Sequence, residues 1–126
     1  HNTLWVPGHF HTYLLLGMVA MVFGFIYYLG KPAQHIRESW LDRAAFWGFT
    51  SGALGFTLSF LYAGKESVVR RYAVHLPEWL PYDRVGSLFA ALVVASSLIF
   101  VLRFFSRLGA AGRDYARAPL AQGAAA

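Results

Sequence analysis

The sequence predicts an all-α integral membrane protein with three transmembrane helices, on three observations. Hydrophobic residues make up 57% of the chain and charged residues only 13%, against about 45–50% and about 25% in soluble domains. Three apolar runs each approach the length a bilayer requires, and turn or charged residues punctuate them. Small residues recur within the runs at three- or four-residue spacing, which lets helix backbones approach closely in lipid.

Span one is Phe10 to Leu29, in which His11 is the one acid or base. At about 1.5 Å per residue it covers roughly 30 Å, the thickness of the hydrocarbon core. Pro7 and Gly8 stand where its helix should begin, and Gly30, Lys31 and Pro32 end it. Span two runs from about Ala44 to Ala63 and span three from about Val85 to Leu102, both without charge. Gly17, Ala20 and Gly24 share a face of span one, and Gly48, Gly52 and Gly55 one of span two. Two such stripes predict that the helices belong to a larger bundle.

A net charge of +5 invites a nucleic-acid reading. The basic residues fall in the gaps between apolar runs, so membrane topology explains them better: lipid is the expected surroundings, and no nucleic acid is expected. The first loop and the tail after span three hold seven Lys and Arg, and the second loop holds four (Lys65, Arg70, Arg71, Arg84). The positive-inside rule then puts the first loop and C-terminus in the cytoplasm, and the N-terminus outside. The Arg70-Arg71 pair on the outer side calls for a reason. With no cysteine in the chain, thiolate metal sites and disulfides are excluded within it. Residues 1–105 are expected to form the membrane part. Residues 106–126, rich in Ala, Gly and Arg, are expected to form a mobile cytoplasmic tail. The chain begins His1-Asn2-Thr3 without Met; a split subunit, a processed chain and a partial one all fit.

His9 and His11 are the residues most open to a chemical role. Two positions apart on a helix is about 200°, so the rings leave opposite faces. They cannot chelate one metal, but each can reach its own flat metal cofactor. An ionisable side chain inside a membrane segment is a functional candidate; the plainer alternative is a pair of interfacial histidines. His35 and His75 sit in polar loops and read as surface residues.

The stretch His1-Asn2-Thr3-Leu4-Trp5-Val6-Pro7-Gly8-His9-Phe10-His11 resembles the start of the tenth helix of subunit I of the heme–copper oxidases. Its Trp-Val-Pro-Gly-His-Phe-His wording is most similar to the B-type branch. Arg70-Arg71-Tyr72, then Pro81-Tyr82 and a third span, follow in the order of helices ten to twelve of that family. The resemblance implies part of a terminal respiratory oxidase in a bacterial or archaeal membrane, reducing oxygen to water with proton translocation. It implies a bundle of a dozen or more helices, of which this chain supplies the last few. Two hemes are implied: His9 would bind the high-spin heme iron and His11 the low-spin heme iron, with Phe10 between them. Arg70 and Arg71 would meet heme propionates, and His1 would lie near them. A copper centre is implied in the complete subunit, its ligands on earlier helices outside this chain. The implied partners are the remainder of subunit I carrying those ligands, subunit II, and an external donor such as cytochrome c or a copper protein. Asn2 stands where the A-type branch has Asp beside a magnesium site. An amide is a poorer ligand than a carboxylate for a hard divalent cation, so no magnesium is expected. A nitric oxide reductase of the same superfamily and a non-catalytic packing subunit are the competing readings.

Overall fold

The computed structural model describes residues 2–29, 39–71, 73–74 and 76–123, with side chains as far as 109. Among these residues the architecture is all-helical, with three helices long and apolar enough to cross a membrane. Helix α1 spans Trp5–Leu29, α2 spans Trp40–Lys65 and α3 spans Leu80–Gly123. A single 3-10 turn, Pro77–Trp79, leads into α3. One isolated antiparallel bridge joins Thr3 to Val69.

α1 is not uniform. It is α-helical over Trp5–His11, a wider π-helix over Thr12–Val19, and α-helical again over Ala20–Leu29. The widening begins where carbonyls of the ladder also accept side-chain donors. His11 Nδ1 lies 2.6 Å from the Pro7 carbonyl, and the Thr12 hydroxyl donates to the Gly8 carbonyl at 3.0 Å. Side-chain insertion of this kind loosens i→i−4 bonding.

α2 starts four residues earlier than its uncharged core, at Trp40. A reciprocal cap makes that possible: the Ser39 hydroxyl accepts from the Leu41 N–H, and the Ser39 N–H donates to Asp42 Oδ2 at 3.0 Å. The carboxylate also suits the positive end of the helix dipole. The glycine stripe of α2 faces α3, as its spacing predicts. A Cβ at Gly52 would stand 3.1 Å from the Val93 backbone nitrogen, and one at Gly48 or Gly55 would collide with Ser96 or Phe89. Gly17 and Gly24 on α1 look into open space within this chain.

Two clasps hold the helix ends. At one, Asp42 at the start of α2 pairs with Arg103 (3.3 Å) and Arg107 of α3. Arg107 also lies over the Tyr27 ring of α1, 5.1 Å from its centroid. At the other, the segment before α1 pairs with the loop after α2 through Leu4 N–H to the Val68 carbonyl and Arg70 N–H to the Asn2 carbonyl, both 2.9 Å. Between them Phe23 stacks on Phe100 (centroids 4.4 Å apart) and leans on buried Phe49. α1, α2 and α3 therefore alternate in direction.

Candidate functional site

The site is built on the first two turns of α1. Pro7 occupies the third helical position, where a missing N–H costs nothing because first-turn donors have no partner inside the helix. Gly8 is the buried residue of this turn. A Cβ there would stand 3.0 Å from the Leu61 nitrogen and 3.1 Å from Phe60 Cβ. Trp5 likewise lies against the backbone of Gly64, where a Cβ would overlap its main chain. Glycine at both contacts lets the start of α1 rest directly on the last turns of α2.

This seating decides where the imidazoles point. His11 is half-buried, with its ring edge-on to Phe56 and Phe60 of α2 at 5.3 and 6.1 Å. His9 is exposed, and its ring meets Tyr13 of its own helix at 4.9 Å. The two leave α1 on different faces, as the spacing predicts. Phe10 between them is 58% exposed, 5.6 Å from the His11 ring.

The contact of His11 with Pro7 fixes its chemistry. A carbonyl oxygen only accepts, so Nδ1 is the donor in this contact and Nε2 is the ring nitrogen left for another partner. Metal-binding histidines are commonly oriented in this way, through a hydrogen bond from the nitrogen not used for coordination. Among the described residues no group of three or more His, Cys, Asp or Glu is arranged to hold a metal ion. A lone imidazole held in this way can act as a single ligand, as in axial ligation of a heme.

Arg70 is tied to the segment that feeds this helix. Besides its backbone bond to the Asn2 carbonyl, its Nε donates to Asn2 Oδ1 at 3.4 Å. Arg71 is exposed and has a φ of 62°, and Ser67 before the bridge has a φ of 63°. Tyr82, in the first turn of α3, lies 5.9 Å from the Tyr62 ring. His1, His35, Tyr72 and His75 lie outside the described residues.

A second polar cluster escaped the sequence reading. Asp42, paired with Arg103 and Arg107, lines a cavity of about 540 Å3 together with Phe23, Phe49 and Phe100. The Ser-x-x-Asp spacing of residues 39–42 was the one signal for it.

The fold and the site define a helical membrane unit that offers paired imidazole donors on opposite faces of one helix. The chain belongs to the family of cytochrome c and quinol oxidase polypeptide I, whose model matches residues 1–92. It is similar to "Cytochrome c oxidase subunit 1" of Thermus thermophilus, 31% identical over 95% of this chain and 23% of that protein. It is also similar to the protein of the same name from Cereibacter sphaeroides, 32% identical over 80% of this chain and 18% of that one. "Probable quinol oxidase subunit 1" of Staphylococcus aureus is 28% identical over 81% of this chain and 16% of its own length. The chain thus spans less than a quarter of the length of these curated relatives. No solved structure matches it.

Proposed function

We propose that this chain is the part of a terminal oxidase catalytic subunit corresponding to helices ten to twelve, and that it supplies one axial histidine to each of two hemes. The wording Trp5-Val6-Pro7-Gly8-His9-Phe10-His11 favours the B-type branch. When bound, the hemes supply electron transfer toward the copper-containing centre at which the complete subunit reduces oxygen to water. His11 binds the low-spin heme iron through Nε2, with Nδ1–H anchored on the Pro7 carbonyl. His9 binds the high-spin heme iron on the other face. Phe10 would lie between the two, on the short route for electron transfer.

Arg70 and Arg71 pair with heme propionates, since a guanidinium fork matches a carboxylate through charge-assisted hydrogen bonds. That role gives the outer-side arginines their reason and agrees with an N-terminus outside and a C-terminus in the cytoplasm. The copper ligands, subunit II and the external electron donor lie beyond this chain. The relatives reported above are oxidases by name, which favours oxygen over nitric oxide as substrate.

The observation that carries this reading is the tethered His11 imidazole on the opposite side of α1 from His9. Reduced-minus-oxidised spectra of the complete oxidase test it. His11→Ala should abolish the low-spin heme signal, and His9→Ala should perturb the high-spin one. Unchanged spectra in both would leave a packing subunit with interfacial histidines.

A further inference from the structure

The proposed function gives Asn2 no task, yet Asn2 makes the hydrogen bonds that define where Arg70 stands. We propose that Asn2 is a positioning residue for Arg70, locking its guanidinium in register with the histidine helix so that the outer fork meets a heme propionate. This rests on the reading of Arg70 as a propionate partner and deepens it.

Arg70 belongs to a loop, not a helix, and an unrestrained arginine loses rotamer entropy when it is held in one pose. Here its backbone N–H is bound to the Asn2 carbonyl at 2.9 Å, and its Nε donates to Asn2 Oδ1 at 3.4 Å. A guanidinium has five N–H donors. Spending the Nε–H on Asn2 leaves the four donors of Nη1 and Nη2, an end-on fork of the shape a carboxylate accepts. Much of the ordering cost is then met before any propionate arrives.

The location of Asn2 matters as much as the bond. Asn2 lies three residues before α1, and the Thr3–Val69 bridge and the Leu4–Val68 hydrogen bond hold its segment to the loop. The frame of reference for the arginine is thereby the helix that bears His9 and His11. A clamp built this way holds porphyrin periphery and iron ligand in one rigid relation. It requires an acceptor oxygen at position 2 and no metal there, which suits an amide.

A cation fixed beside a heme favours the reduced state, because it attracts the added electron. Spectroelectrochemical titration of the complete oxidase therefore reads the position of Arg70 directly. Asn2→Ala should weaken reduction of the adjacent heme by about threefold, which is about 28 mV at 59 mV per tenfold change. Arg70→Gln should lower it at least as far, and the double variant no further than Arg70→Gln alone, because coupled sites are not additive. Asn2→Gln, which keeps an amide oxygen, should stay closer to the parent than Asn2→Ala.

The bridge and the Asn2 carbonyl bond are main-chain contacts and survive each substitution. Should Asn2→Ala still fail to assemble, Asn2→Ser carries the same comparison. An unshifted potential in Asn2→Ala beside a shifted one in Arg70→Gln overturns the inference and leaves the propionate reading standing; so do additive shifts. No shift in Arg70→Gln overturns both.

Discussion

Pro7 and Gly8 set the geometry of the turn that carries His9 and His11. The proline carbonyl holds the His11 ring through Nδ1, and the glycine lets that turn of α1 lie on Leu61 and Phe60. The Gly8 contact is with backbone, which cannot swing aside. Gly8→Ala should therefore push the turn outward at a cost of about 1–3 kcal/mol, the usual range for overpacking. The two imidazoles would move with it. The expected outcome is a lower denaturant midpoint for heme release from the complete oxidase, with a broadened low-spin band. An unaltered midpoint would mean that the turn has room to give. The His-x-His pattern and its opposed faces were legible in the sequence because they follow from helix geometry alone. The Nδ1–Pro7 bond was not, since it depends on a rotamer.

The three spans were legible because hydropathy is summed along the chain; their ends were not, because charges at helix ends are settled by residues far away in sequence. Asp42 reads as a loop residue until Arg103 and Arg107, more than sixty positions later, neutralise it. The same carboxylate closes the cap on α2, so one side chain serves two elements. Its side chain is only 10% exposed. Removing it leaves two guanidinium groups poorly paired and an open helix start. Asp42→Ala should cost roughly 2–4 kcal/mol, combining a partly buried ion pair with a lost cap. Ser39→Ala, which removes only the hydroxyl, should cost about 1 kcal/mol. Thermal denaturation of the detergent-solubilised oxidase checks the order; equal shifts for the two would assign the effect to the cap alone. The π-helical stretch of α1 has no signature in its composition and was invisible to periodicity.

At the scale of the whole molecule, the two clasps say which ends lie together. Asn2 to Leu4 pairs with Val68 to Arg70, and α2 begins where the apolar part of α3 ends. Lys and Arg counts separate the same two groups of segments, and the side of the membrane given to each rests on those counts alone. What three helices cannot do is cover α1. Met18, Met21, Phe25 and Tyr28 are exposed, and Gly17 meets nothing within 4 Å. The α2 stripe, by contrast, is closed by α3. Lipid tails are as apolar as leucine, so exposed methionines and aromatics need no partner, but bare backbone at glycine gains from close packing against another helix. The relatives are more than four times as long as the part this chain matches, so further helices are to be expected, and this face of α1 is their natural seat. Gly17→Leu should then leave the amount of chain inserted in membranes unchanged, because it raises hydropathy. It should lower recovery of the heme-loaded oxidase several-fold, because a leucine holds the facing helix away. Equal recovery would mean that this face looks onto lipid, and that the rest of the bundle packs against another side of α1.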